Sequence, residues 1–370
     1  MSTTDTAPDT ATLRLGFVAK VLGEPNLKSS DARRWQNNPH LKVSVEYLDA
    51  IFDYCARQKI TMYRMSSDLA PYATHPDMPQ FHNQIAESRT ELAALGAKAR
   101  ALDLRISMHP TQFVILNSPD VTLIEKSIWD LSVQAETLDE MGMGPEAVLI
   151  IHVGGAYGDR PSGCARFVET YNTRLPEHVK RRLVLENDDI RYSAADVLDI
   201  HGETGVPLVF DTLHHWCNNP DQHDPHEVFA RFVRTWPAGV RPKMHHSSPR
   251  TESREITRKD RKTGKNVTSL QPPIWTGHAG FINPFEFITF MRGTEGLTFD
   301  VMLESKDKDL ALLRLRRDLP RYAPDVAARF GEMPLTATGP DDLAPAEHDM
   351  DDLSDALEAG DALTDAAAEG

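Results

Sequence analysis

Short apolar runs recur along the chain, and each is followed by a longer stretch in which apolar positions return at helical spacing. The runs occupy residues 13–18, 60–65, 104–108, 147–152, 183–186, 207–210, 242–245 and 299–304. They are rich in Val, Ile, Leu and Met and lack polar alternation, as strands covered on both faces should. The amphipathic stretches are residues 45–58, 80–102, 122–141, 164–175, 194–203, 225–234, 284–291 and 310–319. Regular strand–helix alternation predicts a parallel sheet, and eight such units predict a closed (β/α)8 TIM barrel of the α/β class. No GxGxxG follows the first run and no Walker A loop is present, so a dinucleotide or P-loop fold gains no support.

Composition bounds this picture. The chain has 370 residues, 40% hydrophobic and 26% charged, too apolar for a mainly disordered protein. No run approaches the roughly 18 apolar residues of a membrane span, and the first twelve residues have no basic or apolar signal region, so no membrane partner is expected. Three well-separated cysteines, Cys55, Cys164 and Cys217, exclude a disulfide framework and suit a reducing cytoplasm. The net charge of −15 comes mostly from twelve acids after Arg329, where Lys and Arg are absent. The expected organisation is a disordered start at 1–12, a barrel domain at 13–322 and an acidic, disordered tail at 323–370, in a monomer.

One connection is long. Residues 247–276, after the seventh run, read SSPRTESREITRKDRKTGKNVTSLQPPIWT, with seven Lys or Arg against three acids and no apolar periodicity. Long loops in compact domains are mostly functional or disordered, and in a barrel this one opens on the C-terminal face, where active sites sit. Such a basic rim suits a polyanion, and Arg254, Arg258 and Lys259 are its candidate contacts.

The candidate chemistry lies at the same face. Near the ends of runs two to eight stand His75, His109, His152, Glu186, Asp211 with His214, Lys243 with His245, and Glu304, with His278 in the seventh loop. One histidine in a barrel is more often a packing residue than a ligand. Strand ends of a closed barrel converge on one axial site, however, and six histidines with three carboxylates left apart would be costly buried groups. Imidazole and carboxylate without nearby Cys suit a cluster of two or three divalent cations such as Mn2+ or Zn2+. Asp211 and His214 are an i, i+3 pair that can share one side of a turn. Lys243 and His245 alternate on a strand, so both point into the barrel while Met244 and His246 point out. Adjacent cations activate water and neutralise charge in a displacement at phosphorus, which with the basic rim suggests phosphodiester cleavage.

Seven segments carry a resemblance: APYATHPD (70–77), SMHPTQF (107–113), IHVGGAYG (151–158), LENDD (185–189), FDTLHH (210–215), RPKMHHSSP (241–249) and MLESKDKDLALLRL (302–315). In this order and spacing they resemble the ultraviolet damage endonuclease family over about residues 12–320. The resemblance implies a TIM barrel related to abasic-site endonucleases and xylose isomerase-like barrels. It implies repair of double-stranded DNA, nicked immediately 5′ to cyclobutane pyrimidine dimers and 6-4 photoproducts, with Mn2+ the usual activator and Zn2+, Co2+ or Mg2+ as alternatives. Position by position it makes His75, His109, His152, Glu186, Asp211, His214, His245, His278 and Glu304 the metal ligands, with Glu186, Lys243, His109 and His245 closest to catalysis. The lysine matching Lys243 can be carboxylated in relatives, which relieves the repulsion between an ammonium and metal cations.

Gln112 and Phe113 match the pair that relatives insert into the duplex where the damaged dinucleotide leaves the stack. The aromatic ring replaces lost stacking and the amide meets orphaned bases. Phe17 matches a further lesion contact, and at both Phe17 and Phe113 some relatives have Tyr, so stacking is retained and a hydroxyl is lost. Three other readings stand beside this one: an abasic-site endonuclease with the same metals, a metal-dependent sugar isomerase or epimerase with fewer histidines and no basic rim, and a non-catalytic DNA-binding barrel.

Overall fold

The computed structural model describes residues 12–260 and 262–332. Its centre is a closed barrel of eight parallel strands in the order β1-β10-β7-β6-β5-β4-β3-β2. The first half runs β1 (Leu15–Val18), α1 (Leu41–Arg57), β2 (Met62–Met65), α2 (Gln84–Glu87), α3 (Arg89–Ala101), β3 (Arg105–Met108), α4 (Val121–Glu140), β4 (Leu149–Ile151), α5 (Arg160–Thr173) and α6 (Glu177–Lys180). The second half runs β5 (Leu183–Glu186), α7 (Ala194–Thr204), β6 (Leu208–Asp211), α8 (Thr212–Cys217), α9 (Pro225–Val233), β7 (Lys243–His246), β8 (Arg254–Lys259), β9 (Asn266–Gln271), α10 (Pro284–Arg292), β10 (Asp300–Leu303), α11 (Lys308–Tyr322) and α12 (Pro324–Arg329). All eight apolar runs are barrel strands.

The main core lies between the strands and the helical ring, and includes Phe52, Leu95, Phe167, Phe210, Phe229 and Phe287. A smaller apolar cluster, Val148, Ile150, Val184, Val209 and Trp236, fills part of the barrel interior from the β4–β6 side. The remaining interior is polar. At the base, Arg105 donates to Asp300 at 2.8 Å, both fully buried. Above it, Lys243 Nζ donates to Ser107 Oγ at 2.7 Å. At the top, His245 meets Glu186. Interior polar pairs thus rise in layers toward the C-terminal mouth. Gly16 permits this filling: a Cβ there would come within 2.8 Å of the Met302 and Met62 side chains.

Three expectations are corrected. The long seventh connection is not irregular. Its centre is an antiparallel hairpin, β8 with β9, in register from Arg254↔Gln271 to Lys259↔Asn266. Both faces are largely solvated, so no apolar alternation was available to announce it. The turn closes because Asp260 Oδ1 accepts the amides of Lys262 and Thr263, each at 2.7 Å, and Gly264 supplies φ +68°. The barrel body also runs past residue 322. Helix α12 buries Val326 and Ala327, and the Leu13 amide donates to Arg329 O at 2.8 Å. The stretch 80–102 is two helices broken at Ser88. Residues 1–11 and 333–370, for which disorder is expected, lie outside the described residues.

Candidate metal centre

Every strand from β3 to β10 in the barrel delivers a polar side chain at or just beyond its C-terminal end. Local structure explains the most informative case. Asp211 ends β6 and is the N-cap of α8: its Oδ1 accepts the His214 amide at 2.8 Å. The cap consumes one carboxylate oxygen and turns His214 back toward the barrel axis. The other oxygen, Oδ2, is buried without a hydrogen-bond partner. Asn187 braces the pair. Its side chain accepts the Asp211 amide at 2.9 Å and donates to Asp211 O at 3.1 Å, and its carbonyl faces His214 Nδ1 at 2.9 Å.

Glu186, at the end of β5, is the hub. Its Oε2 lies 3.2 Å from His109 Nε2 and 3.6 Å from His152 Nε2. Its Oε1 lies 2.8 Å from His245 Nδ1 and 3.6 Å from His214 Nδ1. Glu304 joins from β10, with Oε1 3.1 Å from His245 Nδ1 and Oε2 4.0 Å from His278 Nε2. The imidazoles follow one another around the mouth, with centroids 6.2 Å apart for His278–His214, 5.5 Å for His214–His152 and 5.4 Å for His152–His109. Two sets of ligand atoms each fit within 4.8 Å: His109, His152 and Glu186, and Glu186, Asp211, His245 and Glu304.

The electrostatics favour added positive charge. Burial, then the neighbouring Glu304 and Asp211 carboxylates, raise the Glu186 pKa well above the usual range. Burial pulls His109 down to about 4 and holds His152 and His245 well below ordinary imidazoles, so their lone pairs are free. Burial opposes ionisation of Glu304, yet Arg64 and the adjacent histidines hold its pKa low. His152 Nδ1 and His245 Nε2 are buried without partners, as is Asp211 Oδ2. Orphaned acceptors beside crowded carboxylates fit divalent cations, and the nitrogen and oxygen donors fit borderline or hard ions.

Two predicted residues are placed differently. His214 and His278 fall outside the two ligand sets but stand in the imidazole arc, whereas His75 is in neither: its Nδ1 accepts the Asp77 amide at 3.3 Å, and its ring lies 6.4 Å from Tyr72. It rides on the loop after β2 and not on a strand end, so barrel closure alone does not bring it in. Phe17, expected at the lesion, is fully buried, with its ring centroid 5.2 Å from Tyr63 and 6.5 Å from Tyr54. It has no surface to offer DNA; that expectation is corrected, and the residue is core. Lys243 sits one layer below the carboxylates at the start of β7, and burial keeps its pKa far below that of an ordinary lysine. Gln112 and Phe113 stand on the rim, Phe113 with 63% of its surface exposed. Arg258 and Lys259 are exposed on β8, and Arg254 is half-buried at its start.

Sequence reasoning missed Arg64 and Asn187. Arg64, on β2, pairs with Glu304 beyond β10, the two strands flanking β1 in the barrel. A cation inside an apolar run was the available signal, as was the Asn that follows Glu186 in LENDD.

The UV-endonuclease UvdE family model matches residues 36–330. The chain belongs to the UvdE family. A UV DNA damage endonuclease of Bacillus velezensis is 35% identical over 269 residues, covering 72% of this chain and 77% of the relative. One of Bacillus pumilus is 34% identical, covering 70% and 75%. Among solved structures, the crystal structure of SacUVDE superposes with a TM-score of 0.70 at 28% identity, over 84% of this chain and 98% of that one. In this UvdE chain the helix-capping Asp211, the shared Glu186 and the imidazole arc all fall inside the matched region.

Proposed function

We propose that this chain is a metal-dependent repair endonuclease that nicks double-stranded DNA immediately 5′ to ultraviolet photolesions, cyclobutane pyrimidine dimers and 6-4 photoproducts, leaving a 3′-hydroxyl and a 5′-phosphate. Family membership makes it an endonuclease acting on DNA in UV-damage repair; the metal, the lesion range and the cleavage position are this reading's own. The observation that carries it is Glu186, whose two oxygens face two separate ligand sets. Two or three divalent cations bound by these donors, Mn2+ by preference and Zn2+, Co2+ or Mg2+ as alternatives, would supply water activation and charge neutralisation at a phosphodiester.

The chain's residues do the rest. Cations on the β8–β9 hairpin draw in the phosphate backbone. A lesion weakens stacking, so its dinucleotide leaves the duplex at reduced cost, and selectivity needs no readout of base identity. Phe113 takes the vacated stacking position and Gln112 meets the bases left without partners. Neutral His109, His152 and His245 are held as ligands by burial and by their contacts with Glu186. His75, on the loop after β2, is the remaining candidate ligand of the set. Burial shifts Lys243 toward the neutral amine, the form that would be able to add carbon dioxide and become a further anionic oxygen donor.

The test is one duplex carrying a site-specific thymine dimer and a second carrying an abasic site, each with and without Mn2+, with the cut mapped at nucleotide resolution. Mn2+-dependent nicking at the phosphate 5′ to the dimer supports the reading. Nicking only at the abasic site makes the chain an abasic-site endonuclease instead. The enzyme is proposed to act as a cytoplasmic monomer.

A further inference from the structure

Exposed large apolar side chains are distributed unevenly between the two ends of the barrel. Trp35, Phe113, Tyr157, Ile190, Trp216 and Trp275 all lie in connections on the C-terminal face, following β1, β3, β4, β5, β6 and β7. Among the described residues, the comparably exposed ring at the opposite end is Tyr322, 41% exposed at the end of α11, and it packs against Phe285 with ring centroids 5.2 Å apart. Chance exposure has no reason to choose one end, and clustered exposed apolar surface marks contact with a partner.

Three of these residues, Trp216, Trp275 and Ile190, are carried on adjoining connections, and the Trp216 ring stands edge-on to His246 with centroids 6.4 Å apart. Cys217 Sγ, next to Trp216, lies 4.0 Å from Trp275 O. Asn218 donates to Asp188 O at 3.1 Å, which ties the loop of Ile190 to the same place. Trp275 is 60% exposed and Trp216 44%. In the barrel order, β3 and β7 are four strands apart in either direction. The loop of Trp275 therefore lies diametrically across the mouth from the loop of Phe113, with the ligand sets between. The same connection carries the basic hairpin, so phosphate attraction and exposed indole rings come from one segment.

We propose that Trp216 and Trp275 form a stacking platform for nucleobases displaced from the duplex, on the side of the mouth opposite the Gln112–Phe113 wedge. This rests on the nuclease reading and adds a second contact to it. Flat, exposed indoles bind unstacked bases of any identity, because every base presents a π-face. A wedge at one side opens the helix, and a platform at the other lowers the free energy of the bases it expels. Paired bases keep their faces covered and gain nothing from it.

The test uses the full chain in EDTA, so that cutting does not interfere, with two DNA probes: a fully paired duplex and the same duplex with a bubble of two mismatched thymine pairs. The wild type binds the bubble more tightly, with quenching of Trp emission. Trp216→Ala and Trp275→Ala each weaken bubble binding about tenfold, leave binding of the paired duplex unchanged, and Trp275→Phe retains most of the preference. Unchanged bubble binding by both alanine variants, or equal loss on both probes, overturns the platform. A chain that shows this Trp-dependent preference but nicks no lesion refutes the nuclease reading and leaves the platform standing. One that nicks dimers while both variants bind the bubble normally does the reverse.

Discussion

Glu186 Oε1 lies 2.8 Å from His245 Nδ1, inside a fully buried layer of the barrel, while Oε2 of the same carboxylate faces His109 at 3.2 Å. One side chain thus joins two ligand sets. Glu186→Ala removes the link between them. The expected outcome is loss of nicking by at least about a thousandfold and loss of half or more of the bound metal. Metal content measured on the folded variant, alongside a far-UV spectrum, checks this; full activity would remove Glu186 from the mechanism.

Phe113 and Phe17 separate function from packing. Phe113 is exposed on the rim and Phe17 is sealed in the core. Phe113→Ala should cut dimer nicking strongly and leave the unfolding midpoint within about 1 °C. Phe17→Ala should cost about 3–5 kcal/mol of stability, with activity per folded molecule near normal. Denaturant titration beside a nicking assay distinguishes the two, and a Phe113 variant with unimpaired nicking would end the wedge role.

The hairpin cations make an ionic-strength prediction. Each phosphate neutralised adds about 0.9 to the slope of log affinity against log salt. Replacing Arg258 and Lys259 by Ala should lower that slope by roughly two, equally for damaged and undamaged duplexes. A slope unchanged from wild type would place the hairpin away from DNA.

His246 gives a pH dependence that belongs to packing. Its ring points out of the barrel, 5.1 Å from the Phe287 ring, with Nδ1 2.9 Å from Thr212 Oγ1. Burial pulls its pKa down to about 3, from 6.5 in an unfolded chain. The unfolded state therefore takes up this proton first as pH falls. Its contribution to stability is complete above about pH 6.5, and is lost at roughly 1.4 kcal/mol per pH unit as pH falls toward 3. Unfolding measured from pH 7 to 4 should show a shallower acid limb in His246→Leu than in wild type. Equal slopes would contradict the assignment.

At the barrel base, Asp300 accepts from Arg105 at 2.8 Å and from the Arg14 amide at 3.0 Å. Asp300→Ala leaves a buried guanidinium without its counter-ion and should destabilise the fold by about 3–5 kcal/mol. Because the pair lies below the ligand layers, metal affinity of the folded variant should stay unchanged. Calorimetry with Mn2+ titration tests both halves.

The sequence by itself determined the barrel, because eight doubly covered strands must be nearly all apolar while their helices carry polar faces, and that contrast is local. It also determined which side chains could be ligands, since His109, His152, Glu186, Asp211, His245 and Glu304 interrupt or end those runs. The hairpin was illegible because both of its faces meet water, which leaves no alternation to read. Tertiary structure alone decided which candidates meet. Barrel closure brings strand ends to the axis, so Glu186 and Glu304 converge although they are far apart in sequence, while loop-borne His75 packs against Tyr72 outside the imidazole arc. Closure also sends Phe17 into the core and leaves Phe113 in solvent. The same residue type has two fates because its surroundings are assembled from distant segments, and no local pattern encodes that assembly.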